Sequence, residues 1–217
     1  MFKTFSQSIS VAPKSLSTQI KIFEDVFSEE LVTQILDFVD VSERAPATVG
    51  TTGDFVRADR ETRDAYQIDT RSPTFLKMYK DILEGTYKCL HDFLREENLL
   101  SEYNFEKLVP DGGIGLICYD PGSCGYVPHY DATPRDWKCA DRIFSIVIYW
   151  NDDFSGGDLY FPDINKRIKV KQNTVAVFPS NVLFRHASLP LGDGRKVISP
   201  AWFGYEIPQG ADYGPII

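Results

Sequence analysis

The chain has 217 residues, 43% of them hydrophobic and 25% charged, which excludes a disordered polymer and suits one large domain that buries its own core. Its net charge of -8 disfavours indiscriminate binding to nucleic acid or to an anionic membrane surface.

Four cysteines, Cys89, Cys118, Cys124 and Cys139, are too few and too irregularly spaced for a disulfide framework or a structural zinc site. A cytoplasmic or other reducing, soluble compartment is therefore expected. The opening stretch, MFKTFSQSISVAPKSLSTQ, lacks the apolar core of a signal peptide, and no later run approaches a membrane span. IKIFEDVF (20–27) alternates like a strand. In SEELVTQILDFVD, Ser28 can cap a helix, Glu29 and Glu30 suit its first turn, and Leu31, Ile35 and Phe38 share one face. From 45 to 64 the chain is polar and rich in Gly and Thr, which predicts a long loop or irregular hairpin.

Ser72-Pro73 opens a second helix, expected over 73–97, with Phe75, Tyr79, Leu83, Leu90 and Leu94 at helical spacing. Both helices are expected to cover one side of a sheet. After Pro110 the texture changes. GIGLICY, RIFSIVIYW, GDLYFP, RIKVK, NTVAVFP and KVISPAWFGY are short strand candidates divided by turn residues. With no helical pattern between them, a doubly wound sheet is excluded and a compact antiparallel double sheet is expected. The organisation read here is one domain over 1–217, with a helical support region at about 20–105 and a β core at about 110–206.

Three histidines bound the chemistry. His129 and Asp131 lie two apart, so on a strand they face the same side. That pair alone is a weak signal, since a metal site needs a third group. His91 falls inside the second helix and reads as structural. His186 follows a strand-like run and can return to the same cleft if two sheets pack face to face. Two imidazoles and one carboxylate suit a non-haem Fe(II) oxygenase, and equally a hydrolytic zinc site; the ligand types do not choose. Arg195 and Lys196, nine and ten positions after His186, suit an anionic small molecule or a solvated turn.

Taken together and in order, YDPGSCGYVPHYD (119–131), RIFSIVIYWNDDFSGGDLYFP (142–162), NTVAVFPSN and RHASLPLGDGRKVISPAWF (185–203) resemble the prolyl 4-hydroxylase branch of the Fe(II)- and 2-oxoglutarate-dependent dioxygenases. The resemblance implies a mostly β fold with N-terminal helices, built on a double-stranded β-helix of jelly-roll, cupin-like form. It implies His129, Asp131 and His186 as iron ligands and catalytic residues. Lys196 would grip the far carboxylate of 2-oxoglutarate, with Arg195 as the alternative and Tyr149 and Tyr119 as further cosubstrate contacts. Tyr126, Arg142 and Trp202 would face the substrate, and the polar stretch from Val49 to Asp69 would correspond to a segment that folds over it. The implied cofactors are Fe(II), 2-oxoglutarate and O2, with ascorbate as an accessory reductant.

The implied reaction is hydroxylation, since halogenating relatives lack the carboxylate that Asp131 supplies. Its substrate would be a proline in a protein or peptide, giving succinate, CO2 and hydroxylated product. The same hydroxylation of a small molecule, a non-catalytic binding domain that keeps the fold, and a zinc hydrolase are the alternatives. No nucleic-acid or membrane partner is expected, and the oligomeric state is not readable.

Overall fold

The computed structural model describes residues 15–50, 56–132 and 141–205. Two helices are set by their caps. Helix α1 (Glu29–Val41) starts where the Ser28 hydroxyl accepts a hydrogen bond from the Leu31 amide at 3.2 Å. Helix α2 (Pro73–Glu96) starts the same way, with Ser72 accepting from the Phe75 amide at 3.2 Å and Pro73 in the first turn. α1 buries Leu31, Ile35 and Phe38 as the spacing predicts. α2 is rotated slightly from expectation: Met78 and Ile82 are buried, while Tyr79 and Leu83 only flank the core.

The strands are short. Before α2 lie β1 (Lys21–Phe23), β2 (Arg44–Pro46), β3 (Thr48–Gly50), β4 (Val56–Ala58) and β5 (Tyr66–Ile68). After it come β6 (Leu108–Ile114), β7 (Ile117–Tyr119), β8 (Tyr126–His129), β9 (Arg142–Tyr149) and β10 (Leu159–Phe161). The last four are β11 (Lys166–Ile168), β12 (Thr174–Pro179), β13 (His186–Ser188) and β14 (Lys196–Tyr205). The major sheet runs β1-β12-β9-β14-β7-β5-β2, with β6 also paired to β14. The minor sheet runs β11-β10-β13-β8, and β3 and β4 form a separate hairpin. Every pairing in both sheets is antiparallel.

Period-two alternation explains how one sheet serves two layers. On β9, Phe144, Ile146 and Ile148 pack against the helices, while Val147 and Tyr149 face the minor sheet. On β12, Val175 and Val177 go to the helices, and Ala176 and Phe178 go inward to meet Leu159 and Phe161. The result is the expected jelly-roll type of fold: two facing antiparallel sheets with the helices outside one of them.

Two expectations need adjusting. Only Lys21–Phe23 of the first strand candidate pairs, because Asp25 adopts φ of 53° and breaks the extended run. Phe27 then turns inward against Trp150, with ring centroids 5.1 Å apart. The polar stretch 45–64, expected as a long loop or irregular hairpin, does hold the β3–β4 hairpin, but it is bounded by two strands the expectation lacked, β2 and β5, and β5 pairs with β7 inside the major sheet. Residues 51–55 of that stretch lie outside the described residues. Among the described residues no helix is long and apolar enough to cross a membrane.

Candidate metal centre

Strands β8 and β13 pair in a register that sets His129 directly opposite His186. Asp131 follows as the chain leaves β8. Potential donor atoms of the three side chains lie within 4.8 Å of one another. His129 Nε2 is 3.6 Å from Asp131 Oδ1, and His186 Nε2 is 3.4 Å from Asp131 Oδ2. Metal–ligand bonds of about 2.1 Å place neighbouring ligand atoms roughly 3 Å apart, so the spacing suits one ion.

Both imidazoles are oriented by their own strands. His129 Nδ1 lies 2.8 Å from the Val127 carbonyl, and His186 Nδ1 lies 3.1 Å from the Phe184 carbonyl. A carbonyl only accepts, so each Nδ1 donates and each Nε2 keeps its lone pair for the shared centre. Burial, and then the facing His186, hold the His129 pKa well below the usual histidine range. Burial alone would raise the Asp131 carboxyl, but His186, His129 and donors from Ser145 and Trp202 outweigh it and lower the pKa. The lowered pKa values favour a neutral His129 and an ionised Asp131, the states in which these two groups bind a divalent metal.

The carboxylate has its own support. Ser145, on the inward face of β9, donates to Asp131 Oδ2 at 2.7 Å and sits 2.7 Å from the Ser180 hydroxyl. A buried hydroxyl pair behind a metal-binding carboxylate fixes its direction. Replacing Ser145 by Ala is expected to weaken divalent metal binding about tenfold or more while the fold is retained. Competition with a chromophoric chelator measures this, and an unchanged affinity would remove Ser145 from the account.

The protein also buries a cation against Tyr119. Lys196 begins β14 opposite Tyr119 and is 2% exposed. Its ammonium donates to the Gly157 carbonyl at 2.7 Å and to the Ser188 hydroxyl, and stands 4.7 Å from the Tyr119 ring centroid. Those hydrogen-bond partners are neutral, and burial pushes the Lys196 pKa down to about 7, with Asp158 opposing and Arg63 adding to the fall. A buried amine without an anion bonded to it suits a carboxylate ligand. Gly157 adopts φ of 65°, and a Cβ there would come within 3.3 Å of the Lys196 stem. It therefore makes room for the lysine as well as turning the chain.

The remaining expected residues fall in distinct places. Arg195 points to the other side of β14 and pairs with Asp40 on α1. Tyr149 and Tyr119 are both buried in the inter-sheet layer, and burial raises the Tyr149 phenol. Tyr126 stacks on His129 with ring centroids 3.6 Å apart. Arg142 lies 3.9 Å over the Trp202 ring, pairs with Asp111 at 2.6 Å, and reaches the Asp131 carbonyl at 3.4 Å. His91 sits on α2 against Phe105, far in sequence and role from the cluster. Sequence reasoning missed Arg63, Ser145 and Ser180. Ser145 had a signal, being a polar residue on the inward face of an apolar strand.

Residues 114–204 match the sequence model of the 2OG-Fe(II) oxygenase superfamily. A protein of Acanthamoeba polyphaga mimivirus named "Putative prolyl 4-hydroxylase" is 34% identical over 70 residues, which is 29% of this chain and 29% of that protein. The viral collagen prolyl hydroxylase of Paramecium Bursaria Chlorella virus-1, solved with 2OG, superposes with a TM-score of 0.60 at 18% identity, over 87% of this chain and 97% of that one. A Pseudomonas putida prolyl-4-hydroxylase gives a TM-score of 0.57 at 17% identity, over 88% of this chain and 96% of that one. A Trichoplax adhaerens prolyl hydroxylase, solved with a peptide fragment of the hypoxia inducible factor oxygen degradation domain, gives 0.58 at 19%, over 88% and 86%.

Proposed function

We propose that this chain, whose residues 114–204 match the sequence model of the 2OG-Fe(II) oxygenase superfamily, is a single-domain hydroxylase acting on proline in a protein or peptide. The observation that carries this reading is a His-Asp-His cluster with both Nε2 atoms free for a metal, connected through Tyr126, Arg63 and Tyr119 to the buried ammonium of Lys196. His129, Asp131 and His186 would hold Fe(II), and Lys196 would hold the far carboxylate of 2-oxoglutarate. When bound, the iron with 2-oxoglutarate and O2 supplies the oxidising power: 2-oxoglutarate leaves as succinate and CO2, and one oxygen atom enters a substrate C–H bond.

The chain's residues do the rest. Tyr119 packs its ring against the Lys196 ammonium. Ser145 and Trp202 aim the Asp131 carboxylate. Tyr126 and Arg142, beside His129 and Trp202, stand where a substrate would meet the metal.

Two facts support a peptide substrate. Val127 and Tyr130, around the end of β8, and Val182 and Leu183, before β13, are exposed apolar side chains flanking the cluster. Such a rim suits an extended chain better than a closed small-molecule pocket. The superposed proteins named above are prolyl hydroxylases, and one holds a peptide.

The test is to load the chain with Fe(II) and 2-oxoglutarate without oxygen, then admit O2 with a panel of proline-containing peptides. Succinate formation matched by gain of one oxygen atom on a peptide is expected. Succinate coupled only to a small molecule, or to nothing in the panel, would sink the prolyl assignment.

A further inference from the structure

Arg63 belongs to a segment that the sequence presents as an ordinary polar loop, yet it is fastened to the site. Arg63 bridges to Tyr126, and the flanking residues pair with the chain around β8. The Val127 amide donates to the Thr62 carbonyl at 3.0 Å, and the Asp64 amide donates to the Gly125 carbonyl at 2.9 Å. The Ser123 hydroxyl donates to the Asp64 carbonyl at 2.5 Å. Residues 62–64 thus lie along β8, on the side away from β13, and carry an arginine beside the metal cluster.

The guanidinium lies 4.8 Å from the Tyr126 ring centroid, and that ring is stacked 3.6 Å from His129. On its other side Arg63 meets Tyr119, whose ring faces the Lys196 ammonium at 4.7 Å. Lys196, Tyr119, Arg63, Tyr126 and His129 therefore form one line of contacts from the cationic pole of the cleft to the metal cluster. The Arg63 Nε is buried and, among the described residues, has no hydrogen-bond partner. Burial works against its charge, but Tyr119, Tyr126 and Asp131 outweigh it and keep the group cationic. A buried donor left unpaired in a cleft between two anion-attracting poles is matched by an anion that runs between them.

We propose that Arg63 is a second cosubstrate-binding residue, donating to the 2-oxoglutarate carboxylate on the metal side while Lys196 holds the other. This rests on the cosubstrate reading above. It adds a role for the segment 59–64: Arg63 ties that segment to the bound dicarboxylate, so cosubstrate binding consolidates the strand-like cover on β8. A planar guanidinium suits this because it can stack on Tyr126 and still direct N–H donors to a carboxylate, whereas a lysine gives only a point charge.

The experiment uses the full chain loaded with Mn(II), which occupies an Fe(II)-type site without turnover. Calorimetry gives the 2-oxoglutarate affinity of the wild type, Arg63→Gln and Arg63→Lys, and hydrogen exchange follows the Asp64 and Val127 amides with and without 2-oxoglutarate. The expected result is an affinity lower by about tenfold or more in Arg63→Gln, partly restored in Arg63→Lys, with Mn(II) affinity unchanged. Added 2-oxoglutarate should slow exchange at both amides in the wild type and not in Arg63→Gln.

Equal 2-oxoglutarate affinity in wild type and Arg63→Gln would overturn the assignment and leave the cosubstrate reading standing. Weakened affinity with identical exchange protection in the two proteins would overturn the role of Arg63 in fastening the segment. A wild type that binds Mn(II) but no 2-oxoglutarate would instead overturn the cosubstrate reading itself.

Discussion

Asp131→Ala is expected to abolish divalent metal binding under conditions where the wild type is saturated. Asp131 is the one carboxylate in the cluster, and its two oxygens face the two imidazoles at 3.6 and 3.4 Å. Without it, only two imidazoles on adjacent strands remain, and the loss should exceed the roughly 10–100-fold penalty typical of removing an outer-shell partner. Thermal unfolding reads this directly. At about a thousandfold excess over its dissociation constant, a metal that binds only the folded chain stabilises it by about 4 kcal/mol. That metal-dependent rise in Tm should vanish in Asp131→Ala, and likewise in His186→Ala. A variant that keeps the rise would show that the cluster is not the metal centre.

Lys196→Met is expected to lower 2-oxoglutarate affinity by about a hundredfold or more, because it leaves a carboxylate buried opposite an apolar end. Metal affinity should be unchanged, since Lys196 lies at the other pole of the cleft. The same lysine makes binding depend on pH, and the sign follows from its depressed pKa of about 7. Below about pH 7 the ammonium is already present in the free protein and affinity is flat. Above it the lysine is neutral, must take up a proton to pair with the carboxylate, and the affinity falls by up to about tenfold per pH unit. Asp158 and Arg63 act on Lys196 in opposite senses, so their charges set where the fall begins. Lys196→Arg should flatten the profile, as a guanidinium stays charged throughout. Calorimetry across this range, with proton uptake measured in two buffers, checks it. An affinity that rises with pH would contradict the placement of Lys196.

What could be read from the sequence tracks how local each feature is. The helix starts were readable because Ser28 and Ser72 act within one turn. His129 and Asp131 were readable as a pair because they lie two apart, whereas His186 joins them only when β13 pairs with β8 across four intervening strands, and the family resemblance supplied it. Period-two alternation makes the neighbours Arg195 and Lys196 face opposite ways. Which of them enters the cleft depends on β14 pairing Lys196 with Tyr119, a contact across more than seventy residues. Arg63 had no local signal at all. Its segment is polar and short of apolar alternation, and it gains a fixed place only by lying along β8, which is a tertiary event. The same holds for β5, which becomes a strand because β7 offers it an edge.

On the proposed reading, a metal sits at His129, Asp131 and His186, and 2-oxoglutarate lies between that metal and Lys196. The most direct measurement is anaerobic titration of the Fe(II)-loaded chain with 2-oxoglutarate, following the visible charge-transfer absorption produced when a 2-oxo acid chelates ferrous iron. The expected band saturates at one 2-oxoglutarate per chain, is absent in Asp131→Ala, and needs far more 2-oxoglutarate in Lys196→Met. Absence of the band in the Fe(II)-loaded wild type, or an undiminished band in Asp131→Ala, would contradict that reading.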